Sequence, residues 1–237
     1  MLCLEAISYR YQSTEVLSNC WFSANRGEAC LVVGANGAGK STLLGIIAGL
    51  KRPLSGTRSV AATDISALRF VGHELMLYGQ LTVAENLRLF SRVMRIPGSV
   101  LDDSLKRWGL WRYRDERVNA LSRGLRVRVS LVRAFSGSAS LIVLDEPSGS
   151  LDDGSAKLLV DQIRASVEQG ATCIIATHDV ARLEAAASRV ALLGSGRIIA
   201  DGLRVQSQSS QRQGVPMQSG ATQSFEQVLN EYRISNR

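Results

Sequence analysis

A chain carrying Gly34-Ala35-Asn36-Gly37-Ala38-Gly39-Lys40-Ser41-Thr42 directly behind the apolar run Ala29-Cys30-Leu31-Val32-Val33 has few folds open to it. The order of strand, glycine-rich loop, Lys-Ser/Thr and helix is that of a phosphate-binding P-loop. Glycines let backbone close around an anion and turn successive N–H groups inward, and the next helix adds unpaired donors at its N-terminus. Gly34, Ala35, Asn36, Gly37, Ala38 and Gly39 supply that backbone. Lys40 reaches the β and γ phosphates of ATP, Ser41 offers a hydroxyl to Mg2+, and Thr42 leads into the helix. A helix is expected from Thr42 to Leu50, stopped by Pro53 and Gly56.

Ahead of the loop, residues 2 to 9 and 15 to 24 alternate apolar and polar around Gln12-Ser13-Thr14, which reads as a hairpin. Tyr11 lies on it, where an aromatic ring can stack on a base. Behind the loop come a breaker-rich stretch, Lys51 to Gly56, and a short strand from Leu68 to Gly72 with His73 and Glu74 at its end. From Thr82 the texture turns helical: Thr82-x-x-Glu85 fits a capping box, Pro97-Gly98 ends that helix, and further helices follow from Val100 to Trp108 and from Ser122 through Phe135. Strands and helices then alternate, with Leu141 to Asp145, a helix from about Asp153 to Glu168, Cys173 to Thr177, and His178-Asp179 opening another helix. This rhythm implies a parallel sheet with right-handed crossovers, whose ligands collect at the carboxyl ends of the strands. The P-loop, Glu74, Asp145, Glu146 and His178 all fall at such ends. A hairpin around Ser195-Gly196 closes the core, and residues 204 to 224 are mostly Gln, Ser and Gly, a flexible linker ahead of a short amphipathic helix, Phe225 to Tyr232.

Composition narrows the setting. With 237 residues and 45% hydrophobic content the chain can bury a real core. It has no run of roughly 20 apolar residues and no signal-like start, so a cytoplasmic location is expected, with membrane contact made through a partner. Cys3, Cys20, Cys30 and Cys173 form no CxxC pair and read as reduced core thiols. The net charge of +7 asks for an anionic partner, and Lys106, Arg107, Arg112, Arg114, Arg117, Arg123, Arg126, Arg128 and Arg133 crowd one stretch. That stretch suits either a solvated helical face or a surface meeting a partner or a membrane.

The apolar strand ending in Asp145-Glu146 supplies the second half of a nucleotide site. Asp145 would hold Mg2+ through water, and Glu146 would orient or deprotonate the water attacking the γ-phosphate, with His178 completing the set. The P-loop, Leu121-Ser122-Arg123-Gly124, Leu144-Asp145-Glu146-Pro147, Ser150-Leu151-Asp152 and His178 together resemble the ordered motifs of ABC-transporter ATPases over about residues 2 to 203. The resemblance implies an α/β P-loop fold of ABC type, with a mainly parallel sheet core, an antiparallel β subdomain and a helical insert at about 75–137. Residues 1–203 would form the ATPase domain, and 204–237 the linker and short helix.

It further implies that Tyr11 stacks on adenine. A head-to-tail dimer is implied too, in which Ser122 and Gly124 of one subunit meet the ATP of the other, with integral membrane permease subunits as partners at the cytoplasmic face of the membrane. Two positions depart from the family pattern. The signature usually reads Leu-Ser-Gly-Gly-Gln and here reads Leu121-Ser122-Arg123-Gly124-Leu125. A loop that usually carries glutamine has Glu74, expected to join Ser41 and Asp145 as a metal ligand and to slow hydrolysis. Gly72-His73-Glu74, the run Leu77 to Leu87 and the Leu-Ser-Arg-Gly signature are similar to the ATPase of cytochrome c maturation haem exporters. That similarity implies a haem-handling chaperone as a further partner, although His73 and the cysteines have no haem-ligand context. The arginine-rich insert leaves room for a nucleic-acid-associated ATPase, and Glu74 and Arg123 for a weakly hydrolysing regulatory module. The lack of a second P-loop, zinc-ligand clusters and coiled coils opposes the first, so no direct nucleic-acid partner is expected, and an intact Glu146 and His178 oppose the second.

Overall fold

The computed structural model describes residues 1–60, 67–203 and 223–235. In chain order the elements are β1 (Leu2–Tyr11), β2 (Thr14–Ala24), β3 (Ala29–Val33), α1 (Lys40–Ile47), β4 (Ser55–Val60), β5 (Leu68–Val71), α2 (Val83–Met94), α3 (Gly98–Arg107), α4 (Arg123–Phe135), β6 (Leu141–Asp145), α5 (Asp153–Glu168), β7 (Thr172–Ala176), α6 (Val180–Leu183), β8 (Arg189–Gly194), β9 (Arg197–Leu203), β10 (Gln223–Ser224) and α7 (Phe225–Ser235). A three-stranded antiparallel sheet has the order β2-β1-β4. The main sheet has seven strands in the order β10-β9-β8-β3-β7-β6-β5. It is parallel except where β8 and β9 pair as a hairpin.

Strands β3, β6 and β7 are buried at every residue, as parallel strands covered on both faces must be. Their alternate side chains feed two cores. Ala29, Leu31 and Val33 of β3, with Ile142, Leu144, Cys173 and Ile175, pack with α2 to α5. Cys30 and Val32, with Val143 and Ile174, pack with α1 and the antiparallel sheet. The helical segment after β5 therefore shares the main core and has no separate one. All four cysteines are free thiols, three of them buried. At the start of β8, buried Arg189 pairs with Glu28 at 3.0 Å and with Asp201, and also donates to the Ser23 carbonyl. This ties β8, β9 and the start of β3 to the end of β2.

Several elements differ from expectation. Helix α1 begins at Lys40 and ends at Ile47. Ser55–Val60, whose first residues were read as a breaker-rich loop, is strand β4. It lies at the outer edge with most residues exposed or half-exposed, so no apolar alternation announces it. Gly56 makes its approach to β1 workable: φ is 91° and a Cβ would lie 2.4 Å from the Glu5 carbonyl oxygen. The Thr82–Glu85 capping box is present, but α2 ends on Arg95 in the left-handed region, and Pro97 caps the next helix. Of the stretch read as a flexible linker, 204–222 lies outside the described residues, and Gln223–Ser224 forms β10 beside β9. The following helix is docked, burying Phe225, Val228, Leu229 and Tyr232.

Candidate functional site

The phosphate loop is shaped by glycines where no other residue fits. Gly34 leaves β3 at φ 154°, and a Cβ there would meet the Leu193 carbonyl oxygen at 2.3 Å. Gly39, at φ 104°, caps α1, and its carbonyl accepts the first helical bond from Leu43 N at 2.8 Å. Lys40 folds over the loop and donates to the carbonyls of Gly34 at 2.7 Å and Ala35 at 3.1 Å. Burial pushes its ammonium below the usual lysine range, against the pull of Glu146 and Asp145. A partly buried cation resting on neutral carbonyls gains by exchanging them for phosphate oxygens.

Tyr11 stands at the mouth, 47% exposed. Its hydroxyl accepts from Thr42 at 3.5 Å, its ring meets Tyr9 edge-on at 5.1 Å between centroids, and the Lys51 ammonium sits 5.0 Å from its centroid. Hydrogen bonding from Lys51, then from Thr42, lowers the phenol pKa. Tyr11, Val16, Asn36, Lys40, Ser41 and Asp145 are among the residues lining a cavity of about 390 Å3.

At the end of β6, Asp145 is 7% exposed and its Oδ1 has no hydrogen-bond partner among the described residues. Burial raises its pKa above the usual carboxylate range, the Ser41 hydroxyl opposes this, Glu146 adds to it, and Lys40 and His73 oppose it. A buried, unsatisfied carboxylate oxygen beside a serine hydroxyl suits Mg2+, which takes one or two protein oxygens and keeps water and phosphate for the rest. Among the described residues no group of three or more His, Cys, Asp or Glu could hold a metal by itself.

Glu146 adopts φ 52°, and its N–H donates to the Ala176 carbonyl at 2.9 Å. Its Oε2 accepts from the His178 backbone N–H at 3.3 Å and lies 2.8 Å from His178 Nδ1. The His178 side chain is 61% exposed. A second cavity, of about 420 Å3, joins Asn36, His73, Arg123, Asp145, Glu146 and His178.

The structure thus brings the P-loop, Tyr11, Asp145, Glu146 and His178 to one sheet edge. Glu74 is placed differently from expectation: it lines a neighbouring cavity with Arg123 and Arg126, and its neighbour His73 is the one that faces Asp145. Both side chains are exposed, and of the two only His73 also lines the cavity that holds Asp145, a distinction that sequence spacing does not reveal. Arg123, read from the sequence as part of a basic stretch and as a departure from the signature, lines the cavity beside Glu146. Ser122 and Gly124 line neither nucleotide cavity. Ser122 caps α4, accepting from Leu125 N at 3.3 Å. Gly124 packs so closely that a Cβ would sit 2.6 Å from the Ser150 carbonyl oxygen.

A phosphate-wrapping loop with its lysine, beside a serine hydroxyl and two carboxylates, gives the chain the form of a nucleotide-binding P-loop protein. Comparison narrows the class: the ABC transporter family model matches residues 17–149, and the chain belongs to that family as an ATP-binding domain. Membership implies hydrolysis of ATP with Mg2+. The macrolide export ATP-binding/permease protein MacB of Bartonella quintana is 33% identical over 222 residues, covering 85% of this chain and 34% of its own length. The arginine transport ATP-binding protein ArtM of Bacillus subtilis is 28% identical over 218 residues, covering 85% of this chain and 91% of its own. The chain therefore spans about a third of the macrolide export relatives and nearly all of the arginine one. The dimeric structure of a post-hydrolysis state of the ATP-binding cassette MJ0796 bound to ADP and Pi has the same fold. Its TM-score is 0.77 at 24% identity, covering 86% of this chain and 98% of that one. No helix among the described residues is long and apolar enough to cross a membrane.

Proposed function

We propose that this chain is the ATP-hydrolysing motor of a membrane ABC transporter. It works as a head-to-tail dimer at the cytoplasmic face, with separate integral permease subunits. The observation that carries the reading is the convergence of Lys40, Ser41, Asp145, Glu146 and His178, while Ser122 and Gly124 stand outside that half-site, where a second subunit's ATP would meet them. Ser41 and Asp145 would hold Mg2+, which would supply positive charge against the triphosphate. Lys40 leaves the Gly34 and Ala35 carbonyls for phosphate oxygens, Tyr11 receives the adenine, and Glu146 takes a proton from the attacking water while His178 orients its carboxylate.

The cargo pathway we assign is haem export in cytochrome c maturation. It is supported by Gly72-His73-Glu74, the run Leu77 to Leu87 and the Leu-Ser-Arg-Gly signature. Export of another compound is the alternative, favoured by the macrolide export relatives.

Glu146→Gln tests both levels. It should lower ATP hydrolysis on the order of 10²-fold or more and accumulate the ATP-bound dimer. A pull-down from solubilised native membranes with Mg-ATP should then recover permease subunits with a haem-handling chaperone. A different permease would keep the motor and discard haem, and nucleic acid without membrane protein would overturn the class.

A further inference from the structure

Helix α7 reaches the catalytic edge from far along the chain. It buries Phe225, Val228, Leu229 and Tyr232, an i, i+3, i+4, i+7 stripe, in the core that β3 and β8 share. The family match ends at residue 149, well before this helix. Tyr232 is 7% exposed, and its hydroxyl donates to the His178 carbonyl at 3.1 Å. The next residue, Arg233, pairs with Glu184 at 3.2 Å, in the turn that follows α6. On its other side His178 directs its N–H and its ring Nδ1 toward Glu146 Oε2. Residue 178 is therefore held by both of its backbone polar groups, one on the reacting side and one on α7.

The His178 segment needs such support. Helix α6 has four residues, and its cap, Asp179, makes no side-chain capping bond. One turn of helix gains little from its own hydrogen bonds, so packing sets its position. Burial raises the Tyr232 phenol pKa, and Glu146 and Asp179 raise it further, which puts the hydroxyl within electrostatic reach of the catalytic carboxylate.

We propose that Tyr232 is a positioning residue for the His178–Glu146 pair, so that docking of α7 sets the turnover of the site. This rests on the reading of Glu146 and His178 as the groups that act in ATP hydrolysis. Replacing Tyr232 by phenylalanine keeps the ring in the core and removes the hydroxyl that bonds the His178 carbonyl. In the full chain, Tyr232→Phe should lower kcat about 3- to 10-fold, the effect of losing one net hydrogen bond, with KM for ATP unchanged. In a His178→Ala background the same change should have a clearly smaller effect, because the imidazole is gone and only the backbone N–H of residue 178 is left to be held against Glu146.

A second readout needs no turnover. The chain has 2 histidines, so 15N-labelled imidazoles give two sets of resonances, and Tyr232→Phe should move those of His178 and leave those of His73. An unchanged kcat, or an equal loss in both backgrounds, overturns the positioning role. So do unmoved His178 resonances, and that arm holds even if the wild-type chain hydrolyses no ATP, an outcome that would sink the functional reading instead. Should Tyr232→Phe fail to fold, Arg233→Gln loosens the same segment from the exposed side of α7. It should move the His178 resonances in the same way, and their staying in place counts against the proposal.

Discussion

Asp145→Asn separates what the site costs the fold from what it gives to ligand. In the ligand-free chain the carboxylate is buried, one oxygen is unsatisfied, and Glu146 stands beside it. The stabilising neighbours, Ser41, Lys40 and His73, do not outweigh burial and Glu146, since the net effect raises the pKa. An amide of the same shape removes the charge. The variant should therefore be more stable without ligand by about 1 kcal/mol, an ordinary single-substitution effect, because the amide carries no charge to desolvate beside Glu146. In a domain of this size that is about 2–4 °C in Tm.

With Mg-ATP the order should reverse. The wild type gains about 2.7 kcal/mol at a ligand concentration 100 times Kd, and the variant, short of its metal ligand, gains much less. Thermal unfolding with Mg-ATP, with ATP and EDTA, and without ligand reads all three quantities. The pH dependence of the ligand-free form has a definite sign. The native state holds the Asp145 proton more tightly than the unfolded chain, so stability falls as pH climbs from 3.8 through the raised value. The variant lacks that part of the slope. A ligand-free Asp145→Asn protein that melts below the wild type, or one that gains as much from Mg-ATP, would refute the reasoning.

Two other substitutions test the architecture. Arg189→Met leaves Glu28 and Asp201 buried without their cation and should cost about 3–5 kcal/mol, read as a lowered midpoint in urea; an unchanged midpoint would show that the cluster is solvated. Glu74→Gln should leave the Mg2+ dependence of ATP binding unchanged because Glu74 lines the neighbouring cavity. A loss like that of Asp145→Asn would return it to the metal.

The parts of this fold legible in sequence are those whose cause is local. The P-loop glycines, the Thr82–Glu85 capping box, helix α5 and the β8–β9 hairpin each follow from neighbouring residues. Strand β4 was missed because its alternation carries no apolar signal. The docking of α7 is not legible in the sequence, because Phe225 and Tyr232 find their partners dozens of residues upstream, and an amphipathic stripe does not say what covers it. At the site, residue types are enough to place Lys40, Asp145 and Glu146 together at strand ends. Spacing did not say that His73 faces Asp145 and Glu74 does not, nor that Arg123 lines the cavity beside Glu146.

The position of β3 in the main sheet has a consequence for how the protein is made. Its two hydrogen-bonding edges are filled by β7 and β8, whose residues are synthesised more than 130 positions later (Ala29 with Cys173, Cys30 with Arg189). While the ribosome is still adding α2 to α5, the strand that carries the phosphate loop has no neighbour on either side. Such long-range pairing folds slowly and leaves open edges for other chains to join. The nucleotide site is complete only after β6 and β7 have been made, because Asp145, Glu146 and His178 come from the ends of those strands.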